Sequence, residues 1–568
     1  MCTQIDKNDD IVYYQINLVS NRVRRIFMKR IIGATLSLVT AFSLTACGNS
    51  GSKAESFNYA LNSDISSLDT SAVDDEGSIV VLKQSIEGLM VNDANGNTIP
   101  GMAKKIKKSK NGLIYTFTLR DAKWSNGDQV KAEDFVYAWQ RIFKEAGSYE
   151  YMFGSSAANI KNADALSAKQ EAGKKLTQKD LNSLGIKAKD DHTVVVNLEK
   201  KVAFFEQLMT FTCFRPIDAS FAKKQGKSYG KSVKSFVSNG PFKVTSWTKG
   251  SKIVLAKNKD YYDANKVELD NLTIHLAQDA KSAASAFENG TIDLFHVDSS
   301  LVSKYKKKAG YFTYNTGFEY YLSLNLKNKA LANKNIRYAL SYAINKKDFA
   351  DHILGDGSSA AKGFVLSDLA NSPSGKEFRS QAGNWQTLSY NQQKAQEYLN
   401  KGLKELGKKS ITLDVLYGSD EETMKQLATF VQFSLKKLKG IKINVTATVK
   451  EDRTGNKMPN GEYDIACTRW GPDYQDPTTF LNLLTKGNQN NFGKYDSKAY
   501  NKQMNIVKNS DNMTTRWNAM IKADQILSQD LPIIPVYEKA GAMMMNKDYT
   551  GFINKPVIGT IFKYVHKK

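Results

Sequence analysis

Apolar and polar positions repeat along the chain with two periods, and each change of period marks an element. Alternation of the two-residue kind predicts strands over 57–62, 115–119, 193–198, 236–247, 252–257, 272–276 and 292–297. Between them lie stretches with the helical period. Val80, Ile86 and Leu89 mark a helix over 79–89 that stops near Gly88, and 282–288 forms another. Phe135, Val136, Trp139, Ile142 and Phe143 fall on one helical face. Aromatics at that spacing serve packing, which places Trp139, and with it Trp124, in the core.

The second half repeats the alternation of strand and helix. A strand over 320–326 is followed by helices over 336–344 and 392–406. The segments 411–417, 422–438 and 441–449 form a β-α-β unit. A further strand over 463–467 ends in Arg469-Trp470-Gly471-Pro472-Asp473-Tyr474-Gln475-Asp476-Pro477, before a helix at Thr478. A last helix over 516–527 precedes the strand around Pro535. The loop at 469–477 is bent by Gly and Pro and presents an indole, a phenol and two carboxylates. That inventory suits a small charged, partly apolar ligand. Asp476, followed by Pro, reads as a cap for the next helix. Asp473, between Pro472 and Tyr474, reads as a binding group, because exposed loops on rigid scaffolds carry function.

The loop from Trp470 to Pro477 resembles that of the extracellular solute-binding proteins of the peptide/nickel type, the receptors of ABC importers. Four further segments resemble the family, in its order. They are Trp124–Asp128 with 132–141, Ser238-Asn239-Gly240-Pro241-Phe242, Asn289-Gly290-Thr291-Ile292-Asp293, and Ile533-Ile534-Pro535-Val536-Tyr537. Within that family the resemblance points to oligopeptide receptors of Gram-positive bacteria. It implies an α/β fold: two lobes of the periplasmic-binding-protein kind joined by a hinge, with an additional α+β domain inserted. Carried onto this chain, lobe I comprises 57–98, 236–316 and 538–568, the extra domain 99–235, and lobe II 317–537.

Before residue 57 the chain reads differently. Met28-Lys29-Arg30 opens an apolar stretch that ends in Leu44-Thr45-Ala46-Cys47, so 28–46 has the form of a secretory signal. The last four residues resemble a bacterial lipobox, which implies that Cys47 is lipidated and holds the mature protein to the extracellular face of a Gram-positive cell membrane. Residues 1–27, with Asp6, Asp9 and Asp10, do not suit a signal and are expected to be a spurious extension. The small, polar residues 47–56 read as a tether. The 568-residue chain carries a formal charge of +23. Cleavage before Cys47 removes six basic and three acidic residues and leaves about +20. The lysines are scattered and no nucleic-acid module is present, so anionic lipid headgroups and wall polymers are the expected surroundings.

Reaction chemistry is hard to find. Gly226-Lys227-Ser228-Tyr229-Gly230 spells a hydrolase elbow, but the polar residues before it do not form the buried strand an elbow needs. The five histidines show no metal-ligand spacing, and His275 and His296 fall in strand patterns as structural residues. Cys213 and Cys467 lie in apolar runs and read as small core residues. No enzyme activity, cofactor or metal is indicated.

The resemblance implies a monomeric receptor that binds oligopeptides between its lobes and delivers them to ABC permease subunits. It implies that Asp473 holds the peptide's terminal ammonium. Gly471 would admit the ligand to the backbone, Trp470 and Tyr474 would wall the cleft, and Asp74 aligns with a loop that touches the peptide's start. Tyr320 and Tyr321, at the crossing between lobes, are wall candidates, although alternation turns one of the two inward. Cys467 stands where some peptide receptors have an arginine, with Arg469 the nearest basic residue, so contact with the far carboxylate stays open. Two alternatives share the fold: a peptide-pheromone signalling receptor or adhesin, and an oligosaccharide receptor that relies on aromatic platforms.

Overall fold

The computed structural model describes residues 54–568 apart from Asp74, Ala146, Ser156 and Asp511. The extension, the signal, Cys47 and Asp74 therefore lie outside the described residues. In the first half, β1 (Ser56–Ala60) leads to α1 (Glu76–Ser85). A module follows with strands β2 (Ala103–Lys108) and β3 (Ile114–Leu119), helix α2 (Ala132–Lys144), and strands β4 (Ile186–Asp190) and β5 (Thr193–Asn197). Its four strands form a separate sheet in the order β2-β3-β5-β4. Then come β6 (Phe242–Thr248), β7 (Lys252–Lys257), β8 (Asn271–His275), α3 (Ala280–Glu288) and β9 (Leu294–Val297).

The second half begins with β10 (Tyr311–Leu324), α4 (Lys334–Ala343) and α5 (Gln392–Glu405). The β-α-β unit is β11 (Ile411–Gly418), α6 (Glu422–Leu435) and β12 (Ile441–Thr448), its strands paired in parallel. β13 (Ile465–Trp470), α7 (Lys498–Asn509), α8 (Met513–Asp530) and β14 (Ile533–Met545) complete it.

One long sheet joins the halves in the order β12-β11-β13-β10-β14-β9-β1-β8-β7-β6. Its middle is the long pair β10 and β14, which joins the two halves of the sheet. Between the pairs Asn315–Ala540 and Glu319–Glu538 the register shifts, with three residues of β10 against one of β14. Gly317 sits at φ +90° in that bulge, a conformation that a side chain would resist, and its N–H donates to Asn315 Oδ1 at 2.8 Å. A bulge where two strands cross between lobes is a natural place for bending. Separate apolar cores lie on either side. One contains Phe57, Phe117, Trp139 and Phe242, and the other Leu322, Ile336, Leu427 and Ile534.

The signature motifs prove to be scaffold. Trp124 Nε1 donates to buried Asp134 at 2.9 Å, and Asp134 also accepts from the Lys131 and Ala219 N–H groups. Trp124 and Trp139 are both fully buried, as their spacing demands. Asn239 and Gly240 donate their N–H groups to the carbonyl of Ser85, the last residue of α1. Strand β6 consequently starts at Phe242, not Phe236, because 236–241 is occupied with closing that helix. Asp293 accepts from the Asn58 N–H and from Asn546 Nδ2, which ties β1 to the end of β14. Ser228 lies in a single 3-10 turn after the helix Ala219–Gln225, with no strand before it, so the elbow geometry is absent. Among the described residues no helix is long and apolar enough to cross a membrane.

Candidate functional site

The loop of interest hangs from β13 at one side and a short helix (Thr478–Leu481) at the other. Asp476 is the residue that fixes it. Its carboxylate accepts from the Thr478 N–H at 3.0 Å and Thr478 Oγ1 at 2.6 Å, and forms a two-pronged pair with Arg516 at 2.6 and 2.8 Å. Both partners of that pair are buried. A fully bonded ion pair of this kind holds geometry, since breaking it would strand a buried charge. Asp476 therefore serves the loop and bonds the first N–H of the helix, although Pro477, not Asp476, occupies the N-cap position.

Asp473 has the opposite environment. It is half-buried, its backbone N–H is spent on Thr479 Oγ1 at 3.1 Å, and its carboxylate receives only a long hydrogen bond from the Tyr151 hydroxyl, 3.4 Å. No cation pairs with it among the described residues. Burial pushes its carboxyl up to about 6, and the Tyr151 bond moderates that rise. Burying a charge without a partner is unfavourable, so a cation from outside would find this carboxylate ready to pair. Tyr151, 322 positions away, belongs to the four-stranded module. Its hydroxyl is itself pushed upward by burial and by the Asp473 charge. It sits in a single 3-10 turn with 44% of its surface exposed, and no periodicity in the sequence singles it out.

The aromatic and glycine positions divide. Trp470 is half-buried, and its indole N–H is buried without a partner. Tyr474 is not free cleft wall: its ring lies face to face with Phe204 of the module, centroids 4.1 Å apart and 7° from parallel. The expectation for Gly471 also changes. A Cβ there would lie 2.7 Å from the Phe318 ring, so a neighbouring aromatic, not a ligand, occupies the space that the missing side chain leaves. Tyr320 stacks on Tyr537 at 4.4 Å and its hydroxyl accepts from Arg469 Nη1 at 3.0 Å. The Arg469 guanidinium also lies over the Phe318 ring, 4.7 Å from its centre. Tyr321 is buried, as Tyr320 is, and both belong to the second core. Tyr321 points the other way, edge-on to Phe364 at 5.1 Å, as strand alternation requires of one residue of the pair.

Across the sheet, His296 is enclosed by Tyr59 (Nε2 to hydroxyl, 2.7 Å) and Tyr314 (Nδ1 to hydroxyl, 3.3 Å). Burial pushes its imidazole down to about 4, so it is a neutral structural residue at ordinary pH. Cys213 and Cys467 are buried free thiols. Among the described residues no group of three His, Cys, Asp or Glu side chains is placed to hold a metal.

Two lobes hung on a crossed strand pair, with an unpaired carboxylate on a braced loop, define a two-lobed solute receptor by class. Residues 97–492 match bacterial extracellular solute-binding proteins, family 5 Middle, and the chain belongs to that family. It is a family of binding proteins, not of enzymes. The chain is 32% identical to the dipeptide-binding protein of Lactococcus lactis subsp. cremoris, over 92% of this chain and 96% of that one. The structure of Listeria monocytogenes OppA bound to peptide is 30% identical, with a TM-score of 0.65, covering 91% of this chain and 99% of the other. The unliganded open form of the periplasmic murein tripeptide-binding protein MppA shares the fold at 24% identity, with a TM-score of 0.80 over 91% and 98%.

Proposed function

We propose that this protein is the receptor of an ABC importer, taking oligopeptides into the cleft between its lobes and anchoring their terminal ammonium on Asp473. The observation that carries the reading is the half-buried carboxylate of Asp473, braced by its neighbours yet without a cation among the described residues. The names of the relatives, a dipeptide-binding protein and a peptide-bound OppA, favour the same ligand class. A peptide main chain also offers regular donors and acceptors that a receptor can match without reading sequence. In this proposal the lobes are 57–98 with 236–316 and 538–568, and 317–537, while 99–235 is the inserted module that supplies Tyr151. Delivery is from the outer face of the cell membrane, to which a lipid on Cys47 holds a monomeric receptor.

Calorimetry with matched peptides and oligosaccharides tests the ligand class. Peptides with a free amino terminus should bind, and the same peptides acetylated should bind far more weakly. Binding of oligosaccharides alone would remove Asp473 from the centre of the reading.

A further inference from the structure

A cavity of about 1200 Å³, lined in part by Tyr474, lies between the four-stranded module and helices α7 and α8. No residue of the proposed lobe I lines it, so it is separate from the cleft between the lobes. Its walls come from the β2–β3 turn and the segment 200–204 on one side, and from 474–516 on the other. Seven of its lining side chains are cationic, and among the described residues none of the lining side chains is a carboxylate. The net charge alone does not explain such a separation of signs, because Asp and Glu number 57 against 80 Lys and Arg in the whole chain.

The seven cations are not equivalent, and Lys201 is engaged in an interaction of its own. Arg516 is committed to Asp476, and Lys486 pairs with Asp496 at 2.7 Å. Lys108 lies over the Tyr115 ring at 5.3 Å. Lys110, Lys200 and Lys508 are exposed, and no ion-pair or hydrogen-bond partner holds them among the described residues. The amides of Asn159 and Asn505 also line the crevice as neutral groups, while Asn501 donates its Nδ2 to Asp496 at 3.0 Å. The guanidinium fork that suits a planar carboxylate is already occupied. What remains is a set of ammonium point charges, a form of charge that suits phosphate. The volume exceeds what a drug-sized ligand needs and would hold several linked phosphates.

We propose that this crevice is a second binding site, taking a chain of linked phosphate groups. Because Tyr474 and Phe204 form one of its walls, a bound chain would press on the loop that carries Asp473 from behind.

The test uses the full chain and end-labelled short inorganic polyphosphate, with anisotropy read across a salt series. Three free ammonium groups predict a slope of log K against log salt of about −2, a loss of roughly 20-fold between 50 and 200 mM. The triple variant Lys110→Gln, Lys200→Gln, Lys508→Gln should lose at least about tenfold in affinity. A control triple on exposed lysines outside the crevice, Lys223→Gln, Lys224→Gln, Lys227→Gln, should stay within about twofold, and peptide binding should be unchanged in both. Equal losses in the two triples would mean attraction to the general positive field and overturn the site. Absence of polyphosphate binding by the unaltered protein would do the same. Poly-L-glutamate binding as tightly, with the same loss, would overturn the phosphate class in favour of acidic peptide segments. Full competition by orthophosphate at equal phosphate concentration would overturn the chain in favour of a single-phosphate site. None of these outcomes bears on Asp473, so the peptide reading is tested independently.

Discussion

Replacing Asp473 by Asn keeps the shape of the loop and removes the charge. In this protein the carboxylate is half-buried and has no cationic partner among the described residues, so an incoming ammonium would supply the first. At about 3 Å and an effective dielectric constant near 20, attraction between the two charges is about 5 kcal/mol before desolvation. Dehydrating the ammonium offsets part of this, leaving about 2–4 kcal/mol, in the range measured for buried interfacial charge pairs. Affinity should fall by between about 30-fold and about 1000-fold. The carboxyl also predicts a pH profile. Burial raises it to about 6 in the free protein. Binding an ammonium selects the ionised form, so affinity is full above pH 6 and is lost as pH falls below it. Between pH 7 and pH 5 the ionised fraction drops about tenfold, and affinity should follow. The Asn variant should show no such step. Calorimetry on wild type and variant, each with free and acetylated peptide, completes the cycle. If Asp473 meets the ammonium, the double change costs clearly less than the sum of the single ones. Fully additive losses, or a pH step that survives in the variant, would refute the contact.

Arg516→Met should strand the buried Asp476 carboxylate and cost about 3–5 kcal/mol of stability, read by urea denaturation. Glu319 is buried with neither carboxyl oxygen bonded, and burial together with the Glu538 charge holds its carboxyl well above the usual range. A group with a raised folded value stabilises least at high pH, so Glu319→Leu should raise stability by about 1–3 kcal/mol at neutral pH and less in acid. Equal gains at both pH values would contradict this. Cys47→Ala should release the protein from cells, and continued membrane association on fractionation would count against the lipid anchor.

Much of the architecture was legible in the pattern of apolar residues. The β-α-β unit is a parallel pair around a helix, as the periods indicate, and the face Phe135–Phe143 packs as its spacing requires. Elements of this sort depend on neighbours close in sequence, and local patterning is enough to specify them. The strand expected to begin at 320 instead begins at Tyr311, because its first residues pair with the far end of β14, more than two hundred positions later. The site divides along the same line. Asp473 and Asp476 stand three residues apart in one loop, and Gly and Pro around them announce a rigid turn. Their different roles were decided by residues that no local pattern brings near. Arg516 neutralises Asp476, whereas Asp473 meets only Tyr151. Tyr320 and Tyr321 show the limit most clearly. Alternation states that they face opposite ways, but not that both are buried, Tyr320 against Tyr537 and Tyr321 against Phe364. A charge or a ring takes its function from what surrounds it, and those surroundings are assembled by tertiary contacts that the linear order does not contain.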